Sequence, residues 1–111
     1  MLDELDFRRR AETAIEALKQ DLIAEEENAE IEVEEQNGVL YIVFEEPPGK
    51  FVITPNTPVR QLWISALATS FKLDWSETSG DFVFERTGER LKPLIARLVN
   101  GHVGKEVLSF N

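Results

Sequence analysis

The sequence has no cysteine, one histidine, one methionine and one tyrosine. Without cysteine there are no disulfide staples, thiolate metal sites, persulfide carriage or cysteine nucleophile, and the redox compartment stays open. The one histidine, His102, stands in glycine-rich surroundings after the second predicted helix, with no serine nucleophile paired to it, and reads as a surface residue. No stretch approaches the roughly 20 apolar residues that span a bilayer. Met1 is followed at once by charged helix, with neither an apolar signal core nor an Arg/Ser-rich presequence, so a soluble, cytoplasmic protein is expected. Basic side chains are scarce, 12 against 21 acidic ones, and the net charge of −9 speaks against nucleic acid and anionic membrane. It favours cations or basic proteins as partners. A glycine-rich phosphate loop, an HExxH helix and a recognisable acid/base carboxylate motif are all missing, so nothing in the chain marks an enzyme.

What is present fits one domain over residues 1–111, with 42% apolar residues, enough for a single core. Residues 3–25 read as a helix: Phe7, Ala11, Ala14, Ile15, Leu18 and Leu22 recur at spacings of three and four. Asp3, Glu4 and Asp6 occupy its first turn, the positive end of the helix dipole. Arg8-Arg9-Arg10 reads as solvated helix surface, with Arg8 expected to pair with Glu12 and Arg10 with Asp6. Strands follow. Glu30–Glu35 alternates strictly, Asn37-Gly38 is a two-residue hairpin signal, and Val39–Phe44 returns. Pro47-Pro48-Gly49 is a break before a strand at Phe51–Thr54. Leu73–Trp75 and Phe82–Glu85 read as two more short strands. A helix beginning near Glu89 buries Leu91, Leu94, Ile95, Leu98 and Val99, tolerates Pro93 in its first turn, and is expected to stop at Asn100-Gly101. The tail to Phe110 can lie against the helices. The order is helix, about six strands, helix (α-β-β-β-β-β-β-α). It fits an α+β, two-layer α/β sandwich in which both helices cover one face of an antiparallel sheet.

Two features carry the functional reading. In Pro58–Ser65, alternation puts Leu62 and Ile64 on the core side and Gln61, Trp63 and Ser65 on the outer face. An outward indole beside hydrogen-bonding groups points to a protein-docking surface. The second feature is acidic. Asp21 and Glu25 share a helix face, Glu25, Glu26 and Glu27 end the helix, and Glu30, Glu32 and Glu34 line one strand face about 6.5–7 Å apart. If these segments adjoin, they form a carboxylate ridge offering hard oxygen ligands to Fe²⁺, Fe³⁺, Mn²⁺ or Ca²⁺. With no imidazole or thiolate in it, the expected binding is weak, exposed and unselective. The same ridge would also dock a basic partner.

In their order along the chain, Asn37-Gly38-Val39-Leu40, Ile53-Thr54-Pro55-Asn56-Thr57-Pro58, Gln61-Leu62-Trp63-Ile64-Ser65, Asp74-Trp75, Arg86-Thr87-Gly88-Glu89 and Gly104-Lys105-Glu106-Val107-Leu108-Ser109-Phe110 resemble frataxin, most closely its bacterial branch. The resemblance covers essentially the whole chain. It implies a frataxin-like fold and a bacterial, cytoplasmic accessory role in iron–sulfur cluster assembly. In that role the protein would dock on the cysteine desulfurase and scaffold protein and modulate sulfur transfer or iron supply. It implies weak iron binding, as Fe²⁺ or Fe³⁺, at Asp3, Asp21, Glu25, Glu26, Glu30, Glu32 and Glu34, with other divalent cations admitted. Partner contacts are implied at Glu27, Asn56, Gln61, Trp63 and Lys72. Frataxins are not clearly enzymes; a weak ferroxidase activity stays open. A monomer is the default, with iron-dependent oligomers allowed. The chain also departs from the family pattern at Thr54 and Pro55, at Arg8 in place of a histidine, at Ile23 and Ala24 in place of acids, and by using Glu for Asp. The ridge is therefore expected to be thinner and looser. The competing readings are a ferroxidase or iron-storage protein, and an acidic protein-binding module unrelated to iron.

Overall fold

The computed structural model describes residues 2–110. Helix α1 spans Glu4–Ala24 and buries Phe7, Ala11, Ile15, Leu18 and Leu22, the stripe expected from their spacing. Asp3 caps it, its Oδ1 accepting from the Asp6 amide at 2.8 Å. The helix does not run through the glutamates. Glu25 is its C-cap, and a one-turn helix, α2, follows at Glu26–Ala29. Glu30 then takes a left-handed conformation, φ 56°, which turns the chain into the sheet.

Seven antiparallel strands follow in simple meander order: β1 Ile31–Gln36, β2 Val39–Glu45, β3 Pro48–Asn56, β4 Gln61–Ala66, β5 Thr69–Ser76, β6 Asp81–Phe84 and β7 Glu89–Arg90. The expected six become seven because two residues pair with β6 just before the last helix. Pro48 and Gly49 belong to β3 rather than to a break, opposite Glu45 and Phe44. Asn37 and Gly38 close the β1–β2 hairpin, both with positive φ (52° and 82°), as the turn demands. A 3₁₀ turn at Thr57–Val59 links β3 to β4.

Helix α3, Leu91–Val103, covers the same sheet face as α1 and buries Leu91, Leu94, Ile95, Ala96 and Val99. It runs past Asn100-Gly101 to a cap at Gly104, φ 80°. Asn100 does not end the helix because its side chain holds the tail. Its Oδ1 accepts from the amides of Val107 (2.8 Å) and Leu108 (2.9 Å), and its Nδ2 donates to the Leu108 carbonyl (3.0 Å). His102 therefore lies inside the helix, half-buried, its ring 4.3 Å from that of Phe44 and its Nε2 2.7 Å from the Pro47 carbonyl oxygen.

The core lies between the helices and the inner sheet face. Leu40, Ile42, Ile53, Leu62, Ile64, Leu73 and Phe82 are sealed against Phe7, Leu18, Leu22, Leu94 and Val99. Each such side chain contributes about 1.5–3 kcal/mol on burial. Phe82 locks the layers together, its ring edge-on to Phe7 (5.9 Å) and to Trp75 (5.3 Å). Because side chains alternate, burying these residues forces Glu32, Glu34, Tyr41, Val52, Thr54, Gln61, Trp63 and Lys72 onto the opposite, helix-free face.

Candidate functional site

The helix-free face carries a linked side-chain group at its centre. Trp63 is half-buried, and its indole N–H donates to Gln61 Oε1 at 2.9 Å. Gln61 Nε2 donates in turn to Asp74 Oδ1 at 3.1 Å. Lys72, directly opposite Trp63 on β5, sets its ammonium 4.8 Å from the indole centroid. The indole is thus held in one orientation with one face under a cation, neither sealed in the core nor free. Beside it lies a shallow hollow of about 370 Å³, lined in part by Val52, Thr54, Trp63, Ser65 and Lys72. Asn56 pairs with Gln61 at the end of the same ladder. Of the expected partner residues, Asn56, Gln61, Trp63 and Lys72 are therefore neighbours. Glu27 is apart from them, exposed on α2 beyond the β1 edge.

Asp74 completes this group and was not foreseen. Its pairing with Gln61 depends on the β4–β5 register, set by a two-residue turn at Leu67-Ala68. Leu67 adopts φ 58° there without the Asn or Gly that normally announces such a turn.

The acidic segment divides. Glu32 and Glu34 project from the outer face of β1, in register with Val43 and Tyr41, so they share a surface with Trp63 three strands away, about 14 Å across the sheet. Glu30 is exposed at the corner before β1, outside the strand's alternation. The remaining carboxylates have structural partners. Glu26 Oε2 accepts from the Val33 amide at 2.8 Å, on the edge of β1 that faces away from β2. Glu25 accepts from Asn28 Nδ2 (3.2 Å), and Asp21 pairs with Lys92 (2.7 Å). Asp3 caps the far end of α1, about 30 Å from Glu25 along a 21-residue helix. The break at Glu25 also places Glu26 and Glu27 in the first turn of α2, relieving part of the conflict between these acids and the end of α1.

As a metal site this arrangement fits poorly. Among the described residues no three Asp, Glu or His side chains converge as ligands for one ion. Glu30, Glu32 and Glu34 are exposed carboxylates that form no closed coordination sphere.

The basic run also behaves differently from expectation. Arg8 pairs with Glu4 (3.0 Å) rather than Glu12, and Arg10 lies over Trp75, 4.5 Å from the ring centroid, rather than against Asp6. Among the described residues, no helix is long and apolar enough to cross a membrane.

Comparison with known proteins agrees with this architecture. A solved frataxin from Psychromonas ingrahamii, 17% identical, superposes with a TM-score of 0.72 over 96% of each chain, a likeness of fold. Curated relatives named iron-sulfur cluster assembly protein CyaY are similar in sequence. That of Pseudomonas putida KT2440 is 29% identical over 96% of this chain and 94% of its own. That of Azotobacter vinelandii is 28% identical over 77% of this chain and 76% of its own. The frataxin-like domain family model matches residues 1–105. A seven-stranded antiparallel meander backed by two long helices, joined to a family match through nearly the whole length, makes this chain a member of the frataxin-like domain family.

Proposed function

We propose that this chain is an accessory protein of iron–sulfur cluster assembly. It docks on the cysteine desulfurase and scaffold complex and modulates sulfur transfer or iron supply. The observation that carries the reading is one continuous face with two kinds of contact on it: the Trp63–Gln61–Asp74 relay under Lys72, and the exposed carboxylates Glu32 and Glu34 about 14 Å away. A partner that presents a flat apolar patch to Trp63 and basic side chains to the β1 edge engages both. The names of the relatives place them in the same assembly process. Iron enters as cargo, held loosely at Glu30, Glu32 and Glu34, while Asp21, Glu25 and Glu26 each have one oxygen committed to a protein partner.

A second reading, an acidic docking module without an iron role, is favoured by those same engaged carboxylates. One assay separates them. Desulfurase turnover is measured with and without the protein, each with and without Fe²⁺, and repeated with Glu30→Lys, Glu32→Lys and Glu34→Lys combined. The proposal expects a change in rate that the triple variant abolishes and that iron modifies. A rate indifferent to the protein refutes it, and a rate change indifferent to iron leaves only the docking module.

A further inference from the structure

We propose that the groove between α1, the start of α3 and the β5–β6 turn binds a small amphiphilic monoanion, an apolar or aromatic body bearing one carboxylate. The groove lies on the helix side of the molecule, opposite the Trp63 face, and the inference is independent of the function proposed above. Its volume, about 510 Å³, falls in the range of small-molecule sites. Part of the lining is apolar: Ala14 and Ala17 on α1, Leu91 at the start of α3 and Trp75 on β5.

The polar groups converge against the composition of the chain. In a protein with 12 basic and 21 acidic residues, Arg9, Arg10 and Lys92 all line this one hollow. Lys92 is neutralised by Asp21 at 2.7 Å. Arg9 and Arg10 have no carboxylate within ion-pair distance among the described residues. Arg10 is exposed and rests over the Trp75 ring, 4.5 Å from its centroid, which biases its guanidinium toward the groove.

The same lining limits the charge of the ligand. Asp6 and Asp81 also border the groove, Asp81 with Oδ1 turned to the Phe82 amide at 2.7 Å. A polyphosphate would meet these two acids while engaging the arginines. A single carboxylate, with its two oxygens, accepts from both guanidiniums at once while its apolar body lies against Ala14, Ala17 and Trp75.

The test titrates the ¹⁵N-labelled full chain with 2-naphthoate and, as the neutral control, 2-naphthylmethanol. The two indole cross-peaks are distinguished with Trp63→Phe. Saturable shifts at Trp75 and the α1 amides, not at Trp63, are expected with a Kd on the order of 1 mM, the value usual for a ligand of this size. The alcohol and the exposed-site variant Arg9→Gln should each bind about fivefold more weakly, and Arg10→Gln at least as much. Arg10→Lys should retain part of the affinity, since an ammonium can also rest on the indole. Equal binding of acid and alcohol, unchanged affinity in a well-dispersed Arg9→Gln spectrum, shifts centred on Trp63, or no saturation would each overturn the assignment.

Discussion

Replacing Asn100 with alanine should loosen the far end of the molecule from the acidic segment. The side chain makes three hydrogen bonds to the tail, with the amides of Val107 and Leu108 and with the Leu108 carbonyl. Each such bond is worth about 1 kcal/mol net. The tail seats Leu108, only 2% exposed, in the core. Undocking would forfeit about 2 kcal/mol of its burial, offset in part by the freedom the tail regains. The net loss is about 2–4 kcal/mol. With an unfolding entropy near 2.1 cal/mol/K per residue, a chain of this length loses about 4 °C of Tm per kcal/mol, so Asn100→Ala should lower Tm by about 9–17 °C. Leu108→Ala provides the calibration, at about 2–4 kcal/mol alone. Thermal unfolding followed by circular dichroism gives the total, and amide hydrogen exchange at Val107 and Leu108 gives its origin. Asn28 Nδ2 also donates to the Val107 carbonyl at 2.9 Å, so exchange should rise in α2 as well. A Tm within about 2 °C of the parent, or unaltered protection at both amides, would refute the account.

Two further outcomes follow from the geometry. Gly49→Ala places a Cβ 2.9 Å from His102 Cε1 and 3.0 Å from Leu67 Cδ2, and His102 is fixed by Phe44 and the Pro47 carbonyl, so about 1–2 kcal/mol should be lost in a urea-unfolding midpoint. The Arg97 guanidinium, bonded to both oxygens of Glu89 at 2.7 and 2.9 Å, holds that carboxyl below its ordinary value of 4.5. A lowered acid pKa contributes stability that is present above the ordinary value and fades as pH falls through the folded one. Arg97→Met should therefore cost about 0.5–1 kcal/mol at neutral pH and progressively less below pH 4.5. An offset that stays constant through that range in paired denaturation curves would contradict the assignment.

Periodicity made the layers legible. The α1 stripe from Phe7 to Leu22, the Asn37-Gly38 hairpin and the alternation of Gln61–Ser65 are local signals, and burial enforces each of them. The structure departs from the sequence reading where a distant partner overrides a local rule. Glu30 continues the alternation of Glu32 and Glu34 in sequence, but its left-handed backbone takes it out of the strand. Asn100-Gly101 reads as a stop, yet the backbone stays helical to the left-handed Gly104, and the Asn100 side-chain amide instead holds a tail seven and eight residues on. Arg10 has Asp6 at the spacing of a helical pair, but its guanidinium lies over an indole that β5 supplies. The carboxylates form a run in sequence and separate in space: Asp21 and Glu26 find donors on other elements, Lys92 and the Val33 amide, while Glu25 turns to Asn28 in the adjoining helical turn.

The carboxylate of Glu26 on the Val33 amide has a consequence for assembly. β1 is an outer rim of the sheet, where free amides and carbonyls would template pairing with another chain. One of those amides is already satisfied by a neighbouring turn, and the strand's solvent-side positions are glutamates that repel a like strand. The committed Val33 amide and the outward glutamates disfavour growth by strand addition at this rim.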